Sequence, residues 1–164
     1  MDGVQINFLD ELSSECDTQQ AYKLCKNVSQ DLVGFDVNIY EGLDKFISKI
    51  GDGVLYVLTA KVQQEVSGII GALSFAPNGE NGTLDYFGVN APFQGKGIGS
   101  KMYSTLERFL ITKGHSQISL RVPMDRLSFE IYKKWGFVPK YRTSDCRSFV
   151  SMSKSLQTTT TPTD

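Results

Sequence analysis

A glycine-rich stretch holds the residues of this chain whose types and spacing are best suited to chemistry: Gln94-Gly95-Lys96-Gly97-Ile98-Gly99-Ser100. It stands between an apolar run typical of a strand and a segment with helical periodicity. Glycines keep side chains away from the first turn of such a helix, whose free backbone N–H groups can then converge on an anion. The spacing therefore predicts a binding site for a phosphate or a diphosphate.

Two common phosphate-binding motifs do not fit these glycines. A P-loop has its lysine directly after the last glycine, whereas in this chain Gly97 follows Lys96. The dinucleotide-binding motif has a third glycine where Ser100 stands, and an acidic residue further along the chain. The pattern that remains is Gln-x-x-Gly-x-Gly, with its defining positions at Gln94, Gly97 and Gly99.

Together with a second segment, this pattern resembles the GNAT superfamily of N-acetyltransferases. In that family Gln/Arg-x-x-Gly-x-Gly/Ala binds the pyrophosphate of acetyl-coenzyme A. Downstream, Asp125 and the run from Phe129 to Phe137 resemble the family's Asn-x-x-Ala-x-x-x-Tyr-x-x-x-Gly-Phe segment, with Tyr132 and Gly136 in register. Asp125 replaces the usual Asn, and Phe129 stands near the usual small residue.

The resemblance implies an α/β fold with a mixed, mostly antiparallel central sheet, a splayed parallel strand pair and helices on both faces. Acetyl-coenzyme A would be the cosubstrate, with its pantetheine arm in the gap between the splayed strands. Gly88 would either open the strand beside the thioester, at a bulge, or pack beneath a large neighbour such as Phe87. The coenzyme-binding residues that the resemblance implies are Phe87, Gly88, Val89, Gln94, Gly95, Lys96, Gly97, Ile98, Gly99, Ser100, Asp125, Ser128 and Tyr132.

Two residues are candidates for catalysis. The resemblance assigns Tyr132 to protonate the departing thiolate, because a phenol with a pKa of about 10 keeps its proton at neutral pH. Alternatively, Tyr132 is a helix aromatic of the core. Asp85, a carboxylate in an apolar strand, is the candidate general base, because burial would raise its pKa. Otherwise Asp85 is structural, and Glu80 or an ordered water takes the proton.

Strand alternation places Asp85 on one face with Thr83, Phe87 and Val89, unless a bulge at Gly88 intervenes.

Other charged residues are weaker candidates. Asp125 could cap a helix instead of contacting the coenzyme. His115 is expected at the surface. The aromatic residue Trp135 is expected in the core. The lysines that could contact coenzyme phosphates are Lys96, Lys101, Lys133 and Lys134, although solvation is the simpler interpretation of the last two. The acidic residues that could attract a cationic acceptor are Asp31, Asp36, Glu41 and Asp44.

Length and composition are those of one small enzyme domain, expected over residues 1–156, with a disordered tail over 157–164. A net charge of -1 argues against nucleic acid or an anionic membrane as partner, and a homodimer is left open. Three scattered cysteines and one histidine favour reduced thiols and no metal site. No run of 18 apolar residues occurs, so a cytoplasmic protein is expected.

Periodicity predicts the elements that would hold these residues. The strands are predicted at 4–8, 54–58, 67–75, 83–89, 117–122, 137–142 and 148–153, with a hairpin connection over 77–82. The helices are predicted at 18–32, 42–50, 97–113 and 126–135.

The sequence thus predicts an acetyl-coenzyme A-dependent N-acetyltransferase that transfers its acyl group directly in a ternary complex. An acyl-enzyme is not expected, because Cys146 has no partner to activate it. The acceptor would be a small amine, such as a polyamine, amino sugar or amino acid, or else a protein amino group. A non-catalytic acyl-coenzyme A sensor is the alternative from a different class of function.

Overall fold

A mixed sheet with helices on both faces organises the chain. The structure, a computed structural model, describes residues 3–29, 42–74, 81–123, 127–140 and 149–156. Its strands are β1 (Val4–Phe8), β2 (Leu55–Val62), β3 (Glu65–Ser74), β4 (Asn81–Val89), β5 (Gln117–Pro123), β6 (Val138–Lys140) and β7 (Phe149–Ser155). Its helices are α1 (Glu15–Ser29), α2 (Leu43–Gly51), α3 (Ile98–Thr112) and α4 (Leu127–Lys134), with a 3-10 turn at Ala91–Phe93.

The strand order across the sheet is β1-β2-β3-β4-β5-β7-β6, and every neighbouring pair is antiparallel except β4 and β5. This confirms the predicted mostly antiparallel sheet with one parallel pair. None of the helices in the described part of the chain is both long enough and apolar enough to span a membrane.

The parallel pair splays, as predicted. Residues Asn81 to Thr83 of β4 pair with Gln117 to Ser119 of β5, and the pairing ends there. β5 continues beside β7 as far as Pro123, while β4 continues beside β3 as far as Val89. The carboxyl-terminal half of β4 therefore has a gap on its β5 side.

Each face of the sheet carries its own apolar core. Helices α1 and α2 cover one face, where Leu24, Phe46 and Tyr86 are buried together. Helices α3 and α4 cover the other face, and α3 buries Met102 and Leu106 there, residues that stand four apart and so share one side of the helix. We call these the α1/α2 face and the α3/α4 face.

A bulge lies in β4 at Asp85 and not at Gly88, the position that the sequence suggests. Leu84 pairs with Ala72 and Tyr86 pairs with Gly71, so Asp85 is an extra residue opposite that step of β3. The bulge shifts the alternation, and the expectation that Asp85 shares a face with Phe87 is wrong. A side chain on Gly71 would meet the Tyr86 ring at 2.5 Å, so Gly71 is the residue that makes room for the bulged strand.

Element ends differ from the predicted ones by a few residues, for local reasons. α1 begins at Glu15 rather than 18 because Ser14 caps it: Ser14 Oγ accepts from the Asp17 N–H at 3.1 Å. β2 extends to Val62 because Gln63 and Gln64, both at positive φ, turn the chain directly into β3. The predicted connection over 77–82 lies largely outside the described residues. The predicted tail over 157–164 lies wholly outside them.

Candidate active site

An open cavity of about 970 Å³ lies where β4 separates from β5. Its walls come from β4, the loop that follows it, the first turn of α3, helix α4 and one residue of α1. The described residues that line it are Val28, Phe87, Gly88, Val89, Phe93, Gln94, Gly95, Gly97, Ile98, Gly99, Ser100, Ser128, Ile131, Tyr132, Lys134 and Trp135. Most of the predicted coenzyme-binding residues therefore border a single cavity.

The N-terminus of α3 presents free backbone donors to this cavity. Gly97 is the N-cap and has no side chain to bond the first turn, and the Lys101 N–H is bonded to the Gly97 carbonyl at 3.1 Å. The N–H groups of Ile98, Gly99 and Ser100 consequently have no acceptor within the helix. They lie at the positive end of the helix dipole, which favours an anion there.

The three glycines of the motif serve two different purposes. Gly95 (φ 75°) and Gly97 (φ 82°) adopt left-handed backbone, and a Cβ on either would face open space. A Cβ on Gly99 would instead lie 2.6 Å from the Phe87 ring. Gly99 thus makes room for an aromatic side chain of β4, and the prediction that all three glycines clear space for the ligand is wrong at this position.

Gln94 ties the loop between β4 and α3 to the end of the strand. Its Nε2 donates a hydrogen bond to the Val89 carbonyl at 2.8 Å. A second bond, from the Asn90 N–H to the Ser67 carbonyl at 2.8 Å, holds the same loop against β3. The motif glutamine therefore lines the cavity while its amide group fixes the loop that carries Gly95 and Gly97.

Gly88 packs beneath a large neighbour, but that neighbour is Val28 of α1 and not Phe87. A Cβ on Gly88 would lie 2.2 Å from Val28 Cγ1. Gly88 pairs with Ile69 in regular register, which excludes a bulge at this residue. Gly88 and Val89 both line the cavity, and Phe87 lines it from the α3/α4 face.

Tyr132 is a core residue that also borders the cavity, a position compatible with both interpretations of its role. It is 2% exposed, and its ring packs against Phe87, Trp135 and Phe137 at centroid distances of 6.2, 5.6 and 5.9 Å. Burial raises the pKa of its phenol above the ordinary value, so that the hydroxyl keeps its proton at neutral pH.

Asp85 is buried on the α1/α2 face and is not among the described residues that line the cavity. Burial raises its pKa to about 7, and the positive charge of Lys49 in α2 opposes this rise. Its charge also contributes to raising the pKa of the Cys25 thiol in α1, which burial raises most. The predicted base thus has a suitable pKa, but the structure does not bring it into the cavity beside Tyr132.

Trp135, which the sequence predicts to lie in the core, is half-buried and forms part of the cavity wall. It stacks on Tyr103 at 4.5 Å with nearly parallel rings, and its Nε1 donates to Ser100 Oγ at 3.3 Å. Its position three residues after Tyr132 in the predicted helix 126–135 is the signal that could have placed both on the same wall. Val28, Phe93 and Ile131 had no comparable signal in the sequence.

The four lysines proposed to contact coenzyme phosphates differ in whether they border the cavity. Lys134 lines the cavity, while its neighbour Lys133 lies 3.7 Å from Glu130 in an ion pair. Lys96 and Lys101 are exposed and do not belong to the described lining of the cavity. Lys134 is therefore the lysine best placed to meet a bound anion.

His115 was expected at the surface but is buried, with 3% of its surface exposed. Its Nε2 lies 2.9 Å from Ser74 Oγ, and burial lowers its pKa. Asp44 is exposed in the first turn of α2, and the described cavity lining does not include it. The remaining candidates lie outside the described residues: Asp31, Asp36, Glu41, Glu80, Asp125 and Cys146.

Comparison with known proteins agrees with this geometry. Residues 19–137 match the model of the acetyltransferase (GNAT) family. An acetyltransferase of Pectobacterium atrosepticum is 36% identical over 94 residues, which are 56% of this chain and 62% of that protein. The chain therefore covers less than two thirds of that relative's length.

Solved structures with similar folds have low sequence identity to this chain. An acetyltransferase from Streptococcus agalactiae matches 95% of the chain and 100% of its own with a TM-score of 0.73 and 16% identity. An aminoglycoside 6′-N-acetyltransferase complexed with coenzyme A matches 94% of this chain and 98% of its own, with a TM-score of 0.69 and 15% identity.

The ribosomal-protein-S18-alanine N-acetyltransferase from Escherichia coli matches 98% of this chain and 99% of its own, with a TM-score of 0.67 and 17% identity. These likenesses establish the fold, and the family model covers more than half of the chain, including both motifs. The predicted family is confirmed: the chain belongs to the acetyltransferase (GNAT) family.

Proposed function

We propose that the protein is an acetyl-coenzyme A-dependent N-acetyltransferase that transfers the acetyl group directly to a primary amine in a ternary complex. The observation that carries the proposal is one cavity that joins the free N–H groups of α3 to the buried phenol of Tyr132 along the edge of β4. The family match over residues 19–137 supports it. Because β1 and β7 complete the same sheet, we assign the domain to residues 1–156.

The N-terminus of α3 would hold the coenzyme's diphosphate. The N–H groups of Ile98, Gly99 and Ser100 supply donors, and the glycine backbone of Gly95 and Gly97 leaves space in front of them. The pantetheine arm would then run along Val89 toward Gly88 and Phe87, where β4 no longer pairs with β5, and would bring the thioester to these two residues. Ser128 lines the same cavity from the other wall.

Tyr132 would donate its proton to the thiolate as the thioester bond breaks. Its raised pKa keeps the phenol protonated beforehand, and its packing among aromatic rings fixes its position. Backbone N–H groups of β4 beside the gap would stabilise the tetrahedral oxyanion.

Asp85 would take the proton of the acceptor ammonium through an ordered water, since its carboxylate lies on the α1/α2 face outside the described cavity lining. A pKa of about 7 makes it half ionised at neutral pH, which suits a proton acceptor. This assignment requires the acceptor to approach from the α1/α2 face. The acceptor would be a small amine or a protein amino group, the two kinds that similar folds serve.

Turnover with a panel of amines tests the proposal. Acetyl-coenzyme A would be incubated with polyamines, amino sugars, amino acids and peptides, and the released coenzyme A thiol would be measured. Thiol release that depends on one class of amine supports an N-acetyltransferase and identifies its acceptor class. Tight coenzyme binding by calorimetry without amine-dependent thiol release would instead indicate an acyl-coenzyme A sensor.

A further inference from the structure

Val28 of α1 occupies the space that a side chain at position 88 would fill. A Cβ on Gly88 would lie 2.2 Å from Val28 Cγ1 and 3.2 Å from Val28 Cβ. Both residues line the cavity, although they belong to an α-helix and a strand that are distant in the sequence. The wall at this point is therefore made by a branched side chain from α1 that stands over bare backbone of β4.

This wall lies on a different side of β4 from the glycine loop. Phe87 packs against Gly99 and Tyr132 on the α3/α4 face, and the next residue, Gly88, faces α1. The cavity thus reaches around the edge of β4, from the N-terminus of α3 to Val28. A ligand that is anchored by its phosphates at α3 and extends along β4 would bring its far end to Val28.

We propose that Val28, seated over Gly88, limits the coenzyme's acyl group to acetyl. The inference depends on the proposed function, because it takes the diphosphate to lie at α3 and the thioester near Tyr132. The acyl group is then the end of the ligand that meets the Val28 wall. Valine is stiff about χ1, and the buried Leu24 and Cys25 hold this part of α1 on the sheet, so the wall cannot easily yield.

The test is the affinity of the protein for acetyl-, propionyl- and butyryl-coenzyme A by calorimetry, each expressed relative to coenzyme A without an acyl group. One methylene against an apolar wall that does not yield is worth about tenfold or more in discrimination. We expect the natural protein to bind propionyl-coenzyme A about tenfold less tightly than acetyl-coenzyme A. Val28→Ala should remove most of this difference.

Two further variants sharpen the result. In Val28→Ala/Gly88→Ala, the new Cβ at position 88 occupies the space that Val28 Cγ1 has left, so discrimination against propionyl should return. Val57→Ala is the matched control, since Val57 is buried in the same α1/α2 core and does not belong to the described cavity lining. It should keep the natural preference while losing a similar amount of apolar volume.

If Val28→Ala folds poorly, Val28→Leu gives an independent result, because its longer side chain should weaken binding of even acetyl-coenzyme A relative to coenzyme A. An acyl preference that is the same in the natural protein, Val28→Ala and Val28→Leu overturns the inference while leaving the proposed function intact. A natural protein that binds none of these coenzymes would overturn the proposed function itself, and the inference with it.

Discussion

Among single residues, burial acts in the same direction on Tyr132 and Asp85 but with different consequences. Each side chain is 2% exposed, and burial raises both pKa values. Tyr132 therefore keeps its proton throughout the neutral range, whereas Asp85, with a pKa of about 7, changes its charge within it. The first is suited to donate a proton and the second to accept one.

Replacing Tyr132 with Phe removes the hydroxyl and keeps the ring. We expect kcat to fall by about 10²–10⁴-fold with little change in the acceptor KM, because the proton is donated only in the transition state. The free energy of unfolding should change by about 1 kcal/mol or less. Tyr103→Phe is the control, since Tyr103 is buried against Trp135 and lies outside the described cavity lining. Natural kcat in Tyr132→Phe, when chemistry limits turnover, would leave this tyrosine a core residue only.

Because of Asp85, the free energy of unfolding should decrease as the pH rises toward neutrality. Its folded pKa of about 7 lies above the value of about 3.9 expected in the unfolded chain, so its stabilising contribution is complete below pH 4 and is lost as the pH rises to 7. Compared with Asp85→Asn, the natural protein should lose about 1.4 kcal/mol of unfolding free energy per pH unit between pH 5 and 7. Denaturant unfolding at several pH values measures this slope. Parallel pH profiles of the two proteins would mean that Asp85 is already ionised well below neutrality.

At the scale of secondary-structure elements, the site depends on a strand, a loop and a helix end that follow one another along the chain. β4 ends at Val89, the loop is tied by Gln94, and α3 begins directly after Gly97. The helix N-terminus is therefore delivered to the carboxyl end of a strand, beside the gap that β5 leaves. This is the position at which α/β sheets commonly bind phosphate-bearing ligands.

The glycines of this loop should respond differently to substitution. Gly97→Val places a branched side chain in the open space before the helix N–H groups and should abolish coenzyme binding, at a folding cost of about 1–2 kcal/mol for the left-handed backbone. Gly99→Val should chiefly destabilise the fold, because its side chain would displace the Phe87 ring. Calorimetry with coenzyme A and denaturant unfolding separate the two effects. Unchanged coenzyme affinity in a folded Gly97→Val protein would rule out this helix end as the phosphate site.

The sequence predicts most of this arrangement, because periodicity and glycine spacing are local properties. The type and order of the elements and the α3 N-terminus could be read in this way, whereas the place of Tyr132 at the site followed from the resemblance of its segment to the GNAT family. The bulge at Asp85 and the contact of Val28 with Gly88 could not, since each depends on how separate elements pack. The role of Gly99 could not be predicted for the same reason, because its neighbour Phe87 comes from a different element.

Considered as a whole molecule, the protein has two apolar cores on opposite faces of one sheet, and the gap beside β4 is where both faces reach the same cavity. Val28 borders it from α1, Tyr132 borders it from α4, and Trp135 borders it directly after the end of that helix. This arrangement would allow the coenzyme to be held from the α3/α4 face while an amine approaches from the other side.

Amide hydrogen exchange with and without coenzyme A tests most directly whether this gap is the coenzyme site. We predict that the coenzyme slows exchange at residues 87–89 of β4 and 97–100 at the start of α3, whose N–H groups would contact it or be covered by it. Exchange in β1 and in α2, which do not contribute to the described cavity lining, should stay unchanged. Binding that leaves residues 87–89 and 97–100 unprotected, or that protects β1 or α2 instead, would contradict the account.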